Sequence, residues 1–265
     1  LYLKRLLKMR QIIIHIGLPR TGTTTCQKSL FRLAKNTIVL SKTPYKASAK
    51  TDLNNRLIEN QELYESPYED KFKKLYSEML LCSLKLSVNR SRAEFQERLR
   101  EVSLKICTLA EHDQKQILFS TERLVDTTTS LKGDSIIQPN SENEFPIHPL
   151  CQALSESNTL QPSVTTCMRD PIEYLRSKYI RTFFQRRSYR SLRDLTPMEF
   201  IQKQATLERN NPGASALTPA MHSEFVKQLQ KYAFVKAYGF QELLASNDVF
   251  SLMGLKGEGE YAFRD

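Results

Sequence analysis

Residues 11–27 restrict the fold of this chain more than any other segment. They read QIIIHIGLPRTGTTTCQ, in which a run of isoleucines is followed by a short polar turn with proline and glycine and then by a helical pattern. Isoleucine is β-branched and favours strands, whereas glycine and proline interrupt them. A strand, a glycine-bearing turn and a helix in this order present free backbone N–H groups and a helix dipole to one anion. The segment therefore predicts a binding site for a phosphorylated ligand.

The turn after Gly17 differs from the phosphate loop of ATP-binding proteins at one position. A Walker A loop runs G-x-x-x-x-G-K-[ST], and its lysine reaches the β- and γ-phosphates. Gly17 and Gly22 have this spacing, but Thr23 stands in place of the lysine, and the nearest basic residue is Arg20. The turn PRTGTT instead resembles the 5′-phosphosulfate loop of the sulfotransferase family, P-K-[ST]-G-T-[ST], with arginine for lysine. The resemblance implies a cofactor-binding loop made of Pro19, Arg20, Thr21, Gly22, Thr23, Thr24 and Thr25.

A second segment, residues 163–183, has the form of a strand followed by a helix. The apolar run at residues 164–168 predicts a buried strand, Asp170 is a favourable N-cap, and proline is favoured at the position after it. Arg169 is therefore expected at the carboxyl end of a strand, where ligands bind in open α/β sheets. Its planar guanidinium can donate two parallel hydrogen bonds to a phosphate.

The same segment resembles the part of sulfotransferases that holds the 3′-phosphate of 3′-phosphoadenosine 5′-phosphosulfate (PAPS). There an arginine is followed eight residues later by a serine, in a pattern such as R-x-P-x-x-x-x-x-S-x-Y. This pattern is reproduced by Arg169, Pro171, Ser177 and Tyr179. With both motifs in the expected order, the chain is similar to bacterial-type PAPS-dependent sulfotransferases of carbohydrates or lipids. The resemblance implies Arg169 and Ser177 as 3′-phosphate ligands, PAPS as cofactor and 3′-phosphoadenosine 5′-phosphate (PAP) as product.

The resemblance also implies an α/β chain with the three-layer, P-loop-like sulfotransferase fold, in which a central, mostly parallel sheet is flanked by helices. At 265 residues and 30.7 kDa, the default is a single sulfotransferase-like domain, residues 1–265. Further strands are predicted near residues 36–40, 116–119 and 233–238, and helices near residues 171–187, 197–210 and 220–231. The charged helical pattern of residues 52–113 predicts a helical insertion that shapes the acceptor site, and residues 127–147 predict a loop.

Sulfuryl transfer needs a base for the acceptor proton and a cation for the charge that develops on the leaving phosphate. Arg20 is the predicted cation, although arginine is a far poorer acid than the lysine usual in the family, so that proton donation is left open. Glu122 is the predicted base, because it follows the strand predicted at residues 116–119, where related sulfotransferases carry a histidine or glutamate. His15 is the rival base, but alternation along the first strand favours a packed core position for it.

Two other function classes stay open. A P-loop kinase would carry a lysine after Gly22 and an aspartate for magnesium at the end of a later strand, where this chain offers Glu122 and Arg169. A non-catalytic nucleotide-binding protein would have kept the loop and lost its chemistry, and the arginine at position 20 is the one feature that supports it. The acceptor follows from the resemblance alone, as a hydroxyl or an amine of a carbohydrate or glycolipid.

Net charge and cysteine usage bear on partners and location. The net charge is +10, and basic residues cluster at positions 176–193, which favours an anionic cofactor, while no nucleic-acid-binding module is apparent and nucleic acid is not expected. No apolar run reaches transmembrane length, so no membrane span is expected. Five cysteines without C-x-x-C spacing favour buried thiols in a reducing compartment, and predict a cytoplasmic protein without a metal site. No feature indicates an oligomeric state.

Overall fold

Five parallel strands form the sheet at the centre of the molecule. The computed structural model of the chain describes residues 10–17, 26–27, 31, 34, 37–41, 70–87, 92–113, 115–125, 145–184, 195–210, 217, 221–246 and 248–255. The strands within them are β1 (Arg10–Gly17), β2 (Thr37–Ser41), β3 (Gln116–Ser120), β4 (Leu160–Met168) and β5 (Phe234–Gly239). Their spatial order is β2-β3-β1-β4-β5, and every neighbouring pair is parallel.

Helices cover both faces of this sheet. Those in the described residues are α1 (Asp70–Leu86), α2 (Arg92–Asp113), α3 (Ile147–Glu156), α4 (Pro171–Phe184), α5 (Pro197–Asn210), α6 (His222–Gln230), α7 (Phe240–Ala245) and α8 (Val249–Leu252), with a 3₁₀ turn at Arg123–Val125. Cys26 and Gln27 are helical as well. The predicted α/β class, with a parallel sheet flanked by helices, is confirmed. None of the described helices is both long enough and apolar enough to cross a membrane.

Alternate residues of β1 point into two separate cores. Ile12, Ile14 and Ile16 are fully buried in the larger core, which α1, α2, α3 and α6 cover. Ile13 lies in the smaller core on the opposite face, together with Cys26 and apolar residues of α7 and α8. A parallel sheet that is covered on both faces requires apolar residues at successive strand positions, which explains the isoleucine run.

The sequence predicted most of these elements to within a few residues. β2, β3 and β5 correspond to the strands predicted near residues 36–40, 116–119 and 233–238, and α4, α5 and α6 correspond to the three predicted helices. α3 was not predicted, because it is short, carries a proline at its third position and follows a polar stretch. Of the loop predicted at residues 127–147, residues 127–144 lie outside the described residues, whereas Ile147 already belongs to α3.

The helical pattern of residues 52–113 is confirmed for α1 and α2, while residues 52–69 lie outside the described residues. Both helices belong to the larger core, in which Phe72 and Met79 of α1 and Leu99 of α2 are almost completely buried. They lie between β2 and β3 in the chain and form a layer of the α/β sandwich. A part for them in an acceptor site stays a prediction, as does the assignment of residues 1–265 to one domain.

The strand order reverses direction beside β1, in the middle of the sheet. The chain leaves β1 towards β2 on one side and leaves β4 towards β5 on the other. In open α/β sheets, ligands bind outside the carboxyl ends of the strands, where neighbouring strands send the chain in opposite directions. That point lies between the ends of β1 and β4.

Candidate functional site

Three parts of the chain meet at the carboxyl edge of the sheet, around the end of β1. β3 and β4 are the two neighbours of β1 and run parallel to it. Glu122 follows β3 by two residues, and Arg169 follows β4 directly. The structure therefore brings these two predicted site residues to the same edge, one on each side of the strand that leads into the predicted phosphate loop.

The predicted cofactor loop itself lies outside the described residues, and it comprises Pro19, Arg20, Thr21, Gly22, Thr23, Thr24 and Thr25. Its two ends are described. Gly17 is the last residue of β1, and Cys26 is helical and buried in the smaller core. The roles predicted for the loop, including charge stabilisation by Arg20, stay predictions.

Arg169 is a partly exposed cation at the end of β4. Its Nη2 lies 3.5 Å from Oε2 of Glu173, and its Cζ lies 5.9 Å from the ring centroid of Phe240. The Arg169 side chain is 29% exposed and that of Glu173 is 46% exposed. An ion pair of this length and exposure contributes little to stability. Arg169 thus has the chemistry and the exposure that an anion-binding group requires.

Asp170 occupies the start of α4. Its Oδ1 accepts hydrogen bonds of 3.0 Å from the backbone N–H groups of Ile172 and Glu173. This confirms the predicted N-cap, and Pro171 is the first helical residue, as predicted. Because these two helix-start N–H groups are already satisfied, an anion at this strand end has to be bound mainly by side chains.

Ser177 lies on the face of α4 that begins at Asp170. Ser177 lies seven positions after Asp170, which is close to two full turns of helix. It also lies one turn beyond Glu173, which Arg169 contacts. The serine side chain is half-buried. A ligand that reaches Arg169 and extends along this face of α4 therefore passes the Ser177 hydroxyl.

Tyr179, the last residue of the same pattern, joins α4 to the segment before α5. Its hydroxyl donates a hydrogen bond of 3.0 Å to the carbonyl of Leu195, and its ring packs against Phe200 with 5.7 Å between centroids. The contacts of Tyr179 are therefore those of a structural residue.

Glu122 is half-buried between β3 and the 3₁₀ turn that follows. The preceding residue, Thr121, donates its N–H to the carbonyl of His15 at 3.0 Å, and its Oγ1 accepts from the Tyr76 hydroxyl at 3.2 Å. The N–H of Arg123 donates to the same Oγ1 at 3.1 Å. The backbone on both sides of Glu122 is thus held in place.

His15 lies within the sheet and is 1% exposed. Its Nδ1 lies 3.0 Å from Oγ of Ser120, and its ring packs edge-on against Phe31 with 5.2 Å between centroids. Burial lowers the pKa of His15 to about 4, so that the imidazole is neutral at pH 7. The interpretation of His15 as a packed core histidine is confirmed, and the choice of the base stays a prediction.

Two buried histidines are expected to make the protein less stable in mild acid. Burial lowers the pKa of both His15 and His148 to about 4, and the charge of Lys231 adds to the effect on His148. Histidine in the unfolded chain binds its proton near pH 6.5. Each buried neutral histidine therefore leaves the free energy of unfolding unchanged above that pH and lowers it as the pH falls towards 4. We expect the free energy of unfolding, measured by urea denaturation from pH 7 to pH 4, to fall by up to about 3 kcal/mol per histidine.

The variant His148→Phe separates the two contributions. His148 packs near the rings of Phe145 and Tyr232, at centroid distances of 6.1 and 6.4 Å, so phenylalanine can keep these aromatic contacts. The variant should lose less stability than the native protein over the same pH range. An identical decline of the free energy of unfolding in both proteins would show that His148 does not contribute to the pH dependence. A free energy of unfolding that stays constant with pH in the native protein would contradict the expectation for both histidines.

Two residues that the sequence did not single out for the site lie beside Arg169. The imidazole of His222 lies near the backbone of Arg169; burial lowers the pKa of His222, and Asp170 and the Arg169 backbone oppose this shift. Phe240 follows β5 directly and lies under the guanidinium of Arg169. Phe240 could have been found, because a residue directly after a predicted strand lies at the carboxyl edge. No such signal existed for His222, whose contact depends on how α6 packs.

The arrangement places a cation and a carboxylate at the ends of the two strands that flank β1. Glu122 follows the end of β3 and Arg169 the end of β4, and the aspartate beside Arg169, Asp170, uses its carboxylate to cap α4. In the part of the chain that the structure describes, no group of three or more His, Cys, Asp or Glu side chains could hold a metal ion. Chemically, the site can bind an anion at the end of β4 and accept a proton at the end of β3.

Comparisons with known proteins add little to this description. No protein-family model matches the chain, and no curated protein matches it. Among solved structures, a sulfotransferase from Alicyclobacillus acidocaldarius aligns with 93% of this chain and 82% of its own chain, at 12% sequence identity and a TM-score of 0.45. The strands and helices described above, and not this alignment, define the chain as an α/β protein with a parallel sheet.

Proposed function

We propose that the protein is a sulfotransferase that moves the sulfuryl group of PAPS to a hydroxyl or an amine of an acceptor, with carbohydrates and glycolipids as the acceptor class. One observation carries the proposal: Glu122 and Arg169, predicted from separate parts of the sequence, lie at the ends of the two strands that flank β1. β1 leads into the PRTGTT turn, which is expected to bind the 5′-phosphosulfate. A base and two phosphate-binding segments have to converge on one cofactor, and this strand order allows it.

The residues after β4 fit the 3′-phosphate of PAPS. Arg169 can donate two parallel hydrogen bonds from a partly exposed guanidinium, and the Ser177 hydroxyl can donate a third. The 5′ end of the cofactor is assigned to the loop at residues 19–25. Phe240 adds an aromatic ring beside Arg169, against which the adenine can pack. This matters because Thr25 stands where many sulfotransferases carry a tryptophan.

The reaction divides between the two ends of the site. When bound, PAPS supplies an activated sulfuryl group on a phosphate leaving group. Glu122 accepts the proton of the acceptor hydroxyl as the bond from oxygen to sulfur forms, and Arg20 stabilises the charge that collects on the departing phosphate. Most of the rate is expected to come from positioning and electrostatics, as in phosphoryl transfer.

Thermal unfolding with nucleotides tests this function first. PAP should raise the melting temperature more than ADP, or ATP with magnesium, at the same concentration, because among these only PAP carries a 3′-phosphate for Arg169. A ligand at 100 times its Kd that binds the folded state alone stabilises by about 2.7 kcal/mol, which corresponds to roughly 5–10 °C for a chain of this size.

The other outcomes separate the alternatives. A larger shift with ATP and magnesium would contradict the sulfotransferase assignment and favour a small-molecule kinase. A shift with PAP, without transfer from PAPS to any acceptor in a carbohydrate and glycolipid screen, would favour a non-catalytic nucleotide-binding protein. No shift with any nucleotide would contradict the phosphate site itself.

A further inference from the structure

A row of polar residues crosses the sheet near its carboxyl edge. The residues that lie side by side in register on the five strands are Ser41, Ser120, His15, Thr165 and Lys236. The preceding row is entirely apolar and consists of Leu40, Phe119, Ile14, Val164 and Val235. Burying polar groups in a sheet is costly unless they form hydrogen bonds. The question is therefore which groups form hydrogen bonds with the polar residues in the centre of this row.

Gln27, Ser120 and His15 form a hydrogen-bonded chain in the centre of the row. Nε2 of Gln27 donates to the carbonyl oxygen and to Oγ of Ser120, both at 3.0 Å, and Oγ of Ser120 lies 3.0 Å from Nδ1 of His15. The three residues are 6%, 0% and 1% exposed. A backbone carbonyl can only accept, so it is the amide nitrogen of Gln27 that faces Ser120.

One assignment of donors and acceptors fits all of these contacts. Oγ of Ser120 accepts a hydrogen bond from Nε2 of Gln27, and its own O–H can donate to Nδ1 of His15. His15 then accepts at Nδ1 and carries its proton on Nε2, which is the neutral form that burial favours. Every hydrogen bond in the chain is thereby satisfied with one donor and one acceptor.

The positions of the three residues connect the chain to the site. His15 lies two residues before the end of β1, and Gln27 lies two residues after the last threonine of the predicted phosphate loop. Ser120 lies two residues before Glu122. The strand before the loop and the helical residues after it are therefore bonded to the same serine, and that serine ends the strand that leads to the predicted base. From the opposite face of the sheet, Tyr76 holds the intervening Thr121.

We propose that the hydrogen-bonded chain Gln27–Ser120–His15 is a positioning clamp, which sets the two ends of the phosphate loop relative to Glu122. These are positioning residues, since they lie in the core and act through the loop and the strand end. The consequences for nucleotide binding rest on the proposed function, whereas the mechanical role of the clamp does not.

Two variants and a matched control test the clamp. Ser120→Ala removes the central hydroxyl, and Gln27→Met removes the amide donors while keeping the length of the side chain. The control is Ser83→Ala, because Ser83 is equally buried but its hydroxyl donates within α1, to the carbonyl of Met79 at 2.7 Å. All three changes remove one buried hydrogen-bonding group, and only the first two touch the clamp.

The first readout is backbone hydrogen exchange without any ligand. In Ser120→Ala and Gln27→Met, amides at residues 121–125 should exchange about tenfold faster or more, because a buried group without its partner favours local opening. Exchange in β4 serves as the internal reference and should not change. Ser83→Ala should leave residues 121–125 as they are in the native protein. Equal exchange at these residues in the control and in both clamp variants would overturn the clamp.

The second readout is the Kd for PAP, measured by calorimetry in a double-mutant cycle. Each single variant should raise the Kd by about tenfold, and the double variant Gln27→Met/Ser120→Ala by little more, because both changes break one chain. If the two increases in Kd multiply in the double variant, the idea of a single clamp is overturned. It is overturned as well if the Kd is unchanged in both single variants and in the double variant. Should Ser120→Ala fail to fold, Gln27→Met supplies both readouts by itself. If the native protein does not bind PAP while exchange behaves as expected, the proposed function fails and the clamp stands.

Discussion

Glu122→Gln should lower the rate of sulfuryl transfer by about 100- to 10,000-fold, the usual contribution of a general base, while the Kd for PAP stays within about twofold of the native value. Glutamine keeps the size of the side chain but cannot accept the proton of the acceptor hydroxyl. The neighbours Thr121 and Arg123 are held by hydrogen bonds that the change does not touch, so the strand end should keep its geometry. Single-turnover transfer from PAPS, once an acceptor has been found, is the measurement.

Glu78→Gln is the matched control for this change. Glu78 is also a half-buried glutamate, but it lies on α1, which packs on a face of the sheet. The control should transfer at the native rate. Equal rates in Glu122→Gln and the control would remove Glu122 from the mechanism. A rate loss accompanied by an equal loss of PAP affinity would instead indicate a structural role.

Arg169→Ala should weaken binding of PAP by about 10- to 150-fold and leave binding of ADP unchanged. Hydrogen bonds to a charged group contribute about 1.5–3 kcal/mol, and the arginine is expected to meet only the 3′-phosphate, which ADP lacks. The comparison of two nucleotides within one variant separates recognition from folding. Calorimetric titration of both nucleotides into native protein and variant is the measurement.

Arg176→Ala is the control for the loss of positive charge. Nη1 of Arg176 lies 3.6 Å from Oε1 of Glu173, the same residue that Arg169 contacts, but the Arg176 side chain is 70% exposed. An exposed arginine of this kind should change PAP affinity by less than about threefold, since such pairs are worth little in water. If Arg169→Ala weakened the binding of ADP and of PAP equally, the arginine would support the fold at the end of β4 and would not bind the 3′-phosphate.

The local elements around the site were predictable because their causes are local. The isoleucine run specifies β1 since a strand covered on both faces needs apolar residues at every position. Asp170 and Pro171 specify the start of α4 through a cap and a fixed backbone angle, both of which act within a few residues. With β4 ending at Met168, the position of Arg169 at a strand end followed from the sequence alone.

Other parts of the description required the folded chain. The apolar spacing of α1 indicated a helix with a buried face, but only the structure shows that this face covers the sheet. α3 escaped prediction because Pro149 and the polar residues before it outweighed a short amphipathic pattern. His222 and Phe240 reach Arg169 only through the packing of α6 and the pairing of β5 with β4.

By itself, the sequence determined the strand–turn–helix that predicts a phosphate site, the strand and capped helix that carry Arg169, and the class of fold. Each of these depends on neighbours in the chain, so periodicity and capping chemistry suffice to specify it. Only the tertiary structure decided that Glu122 and Arg169 flank β1, and that Ser120 bonds to residues 93 and 105 positions away. Those contacts depend on the order and register of the strands, which burial of both sheet faces selects and which no local pattern records.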